Sequence, residues 1–148
     1  VDAVQLFDSW AGSLAPLRFE RWVIQPNAEI VSRLKAIHPD VPIIGFPKGA
    51  GAKLPDYAAG TGVDAIGLDE TVDPYWANRV LPKGLPVQGN LDPLALLAGG
   101  TAVEQAVDTI CAAFSDRPHI FNLGHGILLD TPIAHVDALL VCLRGRAD

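Results

Sequence analysis

The sequence predicts an α/β protein of the parallel type, a partial (β/α)8 TIM barrel with about five β/α units. Apolar runs rich in Val, Ile and Leu recur along the 148 residues, and each is followed by Gly or Pro and then by a helix-like stretch. Strands that are apolar throughout are buried on both faces, as in a parallel sheet covered by helices. Their alternation with helices indicates βαβ units. The runs are residues 1–7, 41–46, 63–68, 85–89 and 119–123.

The helices are predicted from apolar periodicity and from capping residues. Residues 26–37 carry one apolar face, and Pro26 suits a first helical turn. Thr101, with Glu104 three residues later, matches a capping box before a periodic apolar stretch. The last helix is expected to open at residues 131–132 and to bury Ile133, Val136, Leu140 and Leu143.

A near-repeat predicts that the barrel is incomplete. Residues 1–8 read VDAVQLFD and residues 63–69 read VDAIGLD, and the second copy follows a helix closed by Gly60 and Gly62. By analogy, the first copy follows a helix that this sequence does not contain. A complete barrel has eight units and about 250 residues, so five units are expected to form part of a larger domain.

Composition restricts the class of protein. A content of 49% hydrophobic and 19% charged residues predicts one soluble globular unit. The net charge of -6, without a basic stripe, argues against a nucleic-acid partner. No apolar stretch or leader suggests a membrane partner or export, so a cytoplasmic location is expected. Cys111 and Cys142 fall in helical apolar patterns without a CxxC pair, so neither a disulfide nor a metal site is predicted.

Polar side chains occur just after each expected strand. In barrel enzymes the active site lies at the carboxyl ends of the strands, so these side chains are expected to converge. Each of them also has a purely structural interpretation, which the sequence alone leaves open. The residues are Ser9, Lys48, Asp69, Asn90 and His125.

His125 and Ser9 occur in the two most informative motifs. Residues 121–127 read FNLGHGI, in which the imidazole of His125 can transfer a proton or bind a carboxylate. The alternative is a turn histidine that satisfies backbone carbonyls. Residues 6–12 read LFDSWAG, in which the Ser9 hydroxyl can donate to a substrate oxygen. The alternative is a serine that caps a turn or helix, and no G-x-S-x-G elbow supports a nucleophile.

Lys48 lies in a glycine-rich loop. Residues 45–51 read GFPKGAG, which offers a cation and, near Gly49 and Gly51, amides that can form an anion nest. The alternative is a solvated lysine. The glycine spacing fits neither a dinucleotide fingerprint nor a Walker loop, so it does not predict a nucleotide site.

An acidic cluster follows the third expected strand. Asp69, Glu70 and Asp73 can share acid and base roles or bind a metal. The alternative is that Asp69 or Thr71 caps a helix that begins near Val72, where acidic residues suit the helix dipole. The next motif, QGNLDP at residues 88–93, similarly predicts a loop with Asn90, the cap Asp92 and the first-turn Pro93.

Together the motifs at residues 6–12, 45–51, 88–93 and 121–127 resemble the carboxyl-terminal part of the uroporphyrinogen decarboxylase family. The resemblance runs from residue 1 to the last helix, so residues 1–148 would be this part of a barrel whose amino-terminal part is missing. It implies a carboxy-lyase of haem (porphyrin) biosynthesis that converts uroporphyrinogen III to coproporphyrinogen III by decarboxylating acetate side chains. It also implies no cofactor, a porphyrinogen substrate and a homodimer.

The resemblance implies roles for three residues: Phe7, Ser9 and His125 would bind substrate, and His125 would also be catalytic. Lys48 is expected to bind substrate as well, because it offers a cation at the mouth of a cleft that admits a polycarboxylate. Glu70 departs from the family, which often has an aromatic residue there. The family takes other catalytic groups from amino-terminal motifs that this sequence lacks, so the chain alone is expected to be inactive.

Two alternatives belong to other functional classes. One is the related zinc-dependent corrinoid/thiol methyltransferase group, which shares the barrel but needs cysteine and histidine ligands at strand ends. The other is a non-catalytic half-barrel that serves assembly. Because the barrel is partial, the first strand is expected to be an unpaired edge, which favours self-association.

Overall fold

The computed structural model describes residues 1–145 and contains one sheet of five parallel strands. The strands follow one another across the sheet in chain order, so each unit places its strand beside the previous one. Every predicted apolar run contributes a strand, and the parallel pairing confirms the βαβ prediction. The strands are β1 Val4–Asp8, β2 Ile43–Pro47, β3 Ala65–Gly67, β4 Val87–Gln88 and β5 His119–Ile120.

Helices connect successive strands, and another follows the last strand. Within residues 1–145, no helix combines the length and the apolar character that crossing a membrane would require. The α-helices are α1 Pro16–Phe19, α2 Gln25–Ile37, α3 Leu54–Thr61, α4 Pro74–Val80, α5 Pro93–Ala98, α6 Thr101–Ala113 and α7 Ile133–Arg144, with 3-10 turns at Ala11–Ser13 and Gly51–Lys53.

The sheet is curved, because side chains of strands that are not neighbours touch across its inner face. Gln88 Nε2 on β4 donates to Gln5 Oε1 on β1 over 3.2 Å. On the same face, the rings of Phe7 and Phe46 pack edge to face with centroids 5.8 Å apart. A flat sheet would separate β1 from β4 by three strand spacings, about 14 Å. The strands therefore form part of a barrel wall, as the sequence predicts.

The opposite, outer face of the sheet forms the core against the helices. Ile66 on β3 and Val87 on β4 are fully buried there, and β2 is buried at every position. The edge strands β1 and β5 are less buried than their apolar sequences predict: Phe7 is 71% exposed and Ile120 is 47% exposed. Each of these strands has a neighbour on one side only, which explains the difference.

The connection before α2 is longer than predicted. Pro26 does lie in the first turn of α2, but the backbone is already helical from Pro16. A π-helical turn, Glu20–Ile24, joins α1 to α2. This wider turn lies just before Pro26, whose backbone has no N–H to donate. The wider turn lets the helix continue past this proline. The next residue, Asn27, is buried and accepts a hydrogen bond from the Tyr57 hydroxyl over 3.2 Å.

The structure confirms one predicted helix cap and contradicts another. Asp92 is the N-cap of α5, with Pro93 as the first helical residue. The capping box of Thr101 and Glu104 is wrong, because Gly100 is the N-cap of α6 and Thr101 is already helical. Gly100 has a φ of 53°, a left-handed conformation that ends the loop one residue earlier than the side-chain pattern indicates.

The last helix, α7, buries less than its sequence predicts. Its side chains contact α5 and α6, and Leu139 is the residue that becomes buried. Val136 and Leu143 are partly buried against this core. Ile133 and Leu140 were expected in the core but are exposed. The helix follows the edge strand β5, so it packs at the margin of the core rather than over its centre.

The loops at the carboxyl ends of the strands touch at backbone distance. A Cβ on Gly124 would lie 2.2 Å from Glu70 N, so a glycine is needed where the loop after β5 rests on the loop after β3. The loops after β1 and β2 approach in the same way, because a Cβ on Gly12 would lie 2.4 Å from Gly49 O. These contacts fix the relative positions of the loops that carry the candidate site.

His119 is a partly buried imidazole on β5. It packs between the rings of Phe114 and Phe121, with centroid distances of 4.9 Å and 5.9 Å. Burial lowers the pKa of His119 below its ordinary value, and the 2.6 Å hydrogen bond from Nε2 to Gly89 O offsets only part of this effect. The folded protein therefore favours the neutral imidazole.

Replacing Gly124 by alanine should lower the free energy of unfolding by about 1–3 kcal/mol, because the loop must move away from Glu70 N to admit a methyl group. Gly126→Ala is the matched control, since a Cβ there meets nothing within 4 Å. Urea denaturation of both variants checks the prediction. Equal stability of the two variants would contradict the close-packing argument.

Lowering the pH should destabilise the protein through His119. Because its pKa is lower in the folded state, the stabilisation is complete above the unfolded pKa of about 6.5 and is lost as the pH falls through the folded pKa. The free energy of unfolding should therefore begin to fall as the pH drops below about 7. His119→Gln should flatten this dependence, whereas His38→Gln, which alters an exposed histidine, should retain it. Identical slopes in the two variants would exclude His119 as the cause.

Candidate active site

Three of the predicted site residues line one cleft at the carboxyl ends of the strands. The cleft has a volume of about 360 Å³ and lies between the loop after β1 and the loop after β5. Phe7 and Ser9 come from the first side, and His125 comes from the second. Of the five polar residues expected to converge from the barrel geometry, Ser9 and His125 line this cleft. Other parts of the wall are Gln5, Phe46, Leu68, Gln88, Asn122 and Leu123.

Phe7 and Ser9 are positioned by β1 and the turn that follows it. Phe7 presents an exposed aromatic ring on the inner face, held edge to face against Phe46. Ser9 is exposed at the start of the turn. The turn's side-chain hydrogen bond is made by Asp8, whose Oδ1 accepts from Trp10 N over 3.2 Å. Asp8, not Ser9, therefore fills the turn-forming role, and the Ser9 hydroxyl is open to the cleft.

His125 is held by backbone contacts rather than by contacts of its ring. The adjacent Gly124 is buried against the loop after β3, and its N–H donates to Leu91 O over 2.8 Å. His125 itself is exposed, and its imidazole makes no hydrogen bond to another of residues 1–145. The structural alternative, a histidine that satisfies backbone carbonyls, is therefore not supported in this part of the chain.

Lys48 does not line the cleft with the other three residues. It lines a neighbouring recess of about 380 Å³ with Ser9, Trp10 and Gly49. Ser9 borders both cavities. Lys48 Nζ lies 3.8 Å from Glu70 Oε1, and the two side chains are 25% and 23% exposed, so Lys48 is not the fully solvated lysine of the alternative interpretation.

The predicted anion nest beside Lys48 is not formed at Gly49. The Gly49 amide already donates to Asp69 Oδ2 over 2.8 Å. Asp69 is buried, and its Oδ1 accepts from Thr71 N over 3.0 Å, so this carboxylate ties the loop after β2 to its own loop. Asp69 caps a turn and not a helix: α4 begins at Pro74 and is capped by Asp73.

The acidic cluster therefore separates into three groups with different partners. Asp69 binds backbone amides, Glu70 faces Lys48, and Asp73 accepts from Trp76 N over 2.6 Å. Within residues 1–145, no three His, Cys, Asp or Glu side chains lie together as metal ligands. Asn90, another of the polar candidates, is buried and supports the same loops. Its Nδ2 donates to the carbonyl oxygens of Asp69 and Val72 over 3.0 Å and 2.7 Å.

Two glutamines of the cleft are not predicted from the sequence. Gln5 and Gln88 line the wall and share a hydrogen bond across the inner face. Each is a long polar residue inside an otherwise apolar strand, which is the signal that could have identified them. With them the cleft combines two aromatic rings, several neutral hydrogen-bonding groups and one imidazole. It can hold an apolar ring with polar substituents and can exchange a proton at His125.

Comparisons with known proteins agree on one family. The family model described as uroporphyrinogen decarboxylase (URO-D) matches residues 1–145. The chain is 72% identical to a uroporphyrinogen decarboxylase from Sphingopyxis alaskensis, and the match covers 98% of this chain and 42% of that protein. A protein of the same name from Granulibacter bethesdensis is 53% identical over 97% of this chain and 42% of its own length. The chain thus spans less than half of these relatives.

A solved structure with the same fold comes from a different group. A methyltransferase from Methanosarcina mazei superposes with a TM-score of 0.82, covering 99% of this chain and 43% of that chain. The sequence identity is 17%, so this likeness concerns the fold alone. The family is determined by the sequence matches, which extend over almost every residue of the chain. On this evidence the chain belongs to the uroporphyrinogen decarboxylase family.

Proposed function

We propose that this chain forms one wall of the substrate cleft of a uroporphyrinogen decarboxylase, a carboxy-lyase of haem biosynthesis that converts uroporphyrinogen III to coproporphyrinogen III. The observation that carries the proposal is the convergence of Phe7, Ser9 and His125 on one cleft. These residues come from opposite edges of the sheet, in a chain that is 72% identical to a relative bearing that name. The activity needs no cofactor in this proposal.

The reaction requires proton transfer and the binding of carboxylates. A pyrrole carbon is protonated, carbon dioxide leaves from the attached acetate, and the remaining exocyclic carbon is reprotonated. His125 is the group of the cleft whose imidazole can donate or accept a proton near neutral pH. The Ser9 hydroxyl can donate to a carboxylate oxygen, and the exposed ring of Phe7 can pack against the tetrapyrrole.

Lys48 is a cation that lines the recess bordering this cleft. In the proposal its ammonium binds a substrate carboxylate that extends into the recess beside Ser9. The 360 Å³ cleft itself is lined by neutral side chains and His125. Most of the charge needed for a polycarboxylate must therefore come from outside residues 1–145, and the isolated chain is not expected to turn over substrate.

The methyltransferase alternative rests on the fold it shares with the Methanosarcina mazei protein. That activity would need a zinc site with cysteine ligands, but Cys111 lies within α6 and Cys142 within α7, not at strand ends. Stoichiometric zinc binding by the chain would favour this alternative. For the decarboxylase proposal, a cytoplasmic location and a homodimer are further parts, supported by the family to which the chain belongs.

Activity is best tested in a chimera in which this chain replaces the matching 145 residues of the Sphingopyxis alaskensis relative. In anaerobic assays with uroporphyrinogen III, His125→Asn should lower kcat by at least about 100-fold, because a proton-transfer group is removed. Ser9→Ala should lower turnover by about 2- to 10-fold through the loss of one hydrogen bond. Chromatography of the partly decarboxylated products measures both effects.

Ser32→Ala, which alters an exposed serine of α2, is the matched control and should leave the kinetics unchanged. The isolated chain, assayed in parallel, should give no product. An inactive chimera would overturn the proposed activity. Unchanged steady-state kinetics in both site variants would remove His125 and Ser9 from the active site while leaving the activity itself in place.

The isolated chain is also expected to self-associate. β1 pairs with β2 on one side only, so its other side presents backbone amides and carbonyls beside the exposed Phe7 ring. Such an edge is a template for pairing with a second copy. Light scattering over a dilution series should show a dimer or a larger species. A monomer that persists at high concentration, with slow amide exchange throughout Val4–Asp8, would contradict this expectation.

A further inference from the structure

Glu70 and Lys48 form a charged pair between the loops after β3 and β2. Glu70 Oε1 lies 3.8 Å from Lys48 Nζ, and about three quarters of each side chain is buried. This distance is beyond hydrogen-bonding range, so the ammonium keeps its donors free while it feels the negative charge. The other oxygen of the carboxylate, Oε2, is buried and has no hydrogen-bond partner among residues 1–145.

The surrounding loop contacts do not account for Glu70. Asp69 and Asn90 make the hydrogen bonds that tie the neighbouring loops together. The close approach of Gly124 involves the backbone of Glu70, so it would exist with any side chain there. A part-buried carboxylate with an unsatisfied oxygen costs free energy, which gives such a group a role other than holding the loop. Among residues 1–145, the ion pair of its side chain is the one with Lys48.

Lys48 faces a recess that borders the cleft. The recess has a volume of about 380 Å³ and shares Ser9 with the cleft. A carboxylate that enters the recess lies beside Lys48, whose ammonium is 3.8 Å from Glu70 Oε1. That ammonium is already attracted to Glu70, so a bound carboxylate competes with Glu70 for the same positive charge and the net affinity of the recess is lowered.

We propose that Glu70 is a positioning residue that weakens carboxylate binding at Lys48, so that the recess binds an acidic side chain of the substrate and releases it again. The inference rests on the proposed function, because it assigns Lys48 to a substrate carboxylate. Glu70 acts through Lys48 and does not take part in proton transfer. Its removal should therefore change substrate affinity and leave the rate of the bound complex largely intact.

The test uses the chimera described above with uroporphyrinogen III as the substrate. Glu70→Gln should lower KM by about two- to fivefold and change kcat by less than about twofold. This is the range expected when one charge pair that is partly exposed to solvent is removed. Lys48→Met should raise KM. In the Lys48→Met background, Glu70→Gln should have no further effect, because no cation then draws a carboxylate into the recess.

Glu104→Gln is the matched control, since it removes the same charge from an exposed position on α6 and should leave KM unchanged. Salt provides an independent measurement, because the lower KM of Glu70→Gln should rise more steeply with ionic strength. A thermal midpoint for each variant confirms that it is folded, and Glu70→Ala replaces Glu70→Gln should the latter fail to fold.

The outcomes separate this inference from the proposed function. An active chimera in which Glu70→Gln leaves KM unchanged or raises it would overturn the role of Glu70 and leave the decarboxylase activity standing. A lower KM that persists in the Lys48→Met background would show that Glu70 does not act through Lys48, and would also overturn the inference. An inactive chimera would overturn the proposed function and this inference together.

Discussion

The curvature of the sheet is the constraint on which the candidate site depends. Strands β1 and β5 lie at opposite edges, four strand spacings apart, and would be about 19 Å apart in a flat sheet. Ser9 follows the first of these strands and His125 follows the last, yet both line the same cleft. The hydrogen bond between Gln5 and Gln88 shows that the curvature brings β1 and β4 within side-chain contact of each other. Without that turn the chain would contain the same residues and no common site.

The loops above the strands are held by a buried carboxylate and by glycines. Asp69 accepts hydrogen bonds from backbone amides of two loops. Asn90, on a third loop, donates a hydrogen bond to the carbonyl oxygen of Asp69. Gly124 lets the loop of His125 rest directly on this group. The polar residues at the strand ends thus divide into a supporting set, which is buried and hydrogen bonded, and a set open to the cleft. Burial distinguishes the two sets, and burial follows from the tertiary structure.

Much of the fold could be predicted from the sequence, because strand periodicity and the order of the elements are local properties. The placement of Ser9 and His125 in one cleft also followed, since barrel strands end on the same side. Lys48 lines the neighbouring recess together with Gly49, whose amide donates to Asp69, a contact between residues that are distant in sequence. The exposure of Ile133 likewise depends on where α7 meets the core. The apolar periodicity of the helix does not specify that position.

The recess beside the cleft also has an optical consequence. Trp10 lines it next to Lys48 and is 80% exposed, whereas Trp76 is partly buried against the core. Indole fluorescence responds to contact with solvent and to nearby absorbing groups, so the emission of Trp10 is sensitive to what occupies this recess. Trp22 is exposed too, but Arg21 stacks on its ring on the distant π-helical turn. The protein therefore carries an intrinsic fluorophore beside Lys48, whose emission can report whether the recess is occupied.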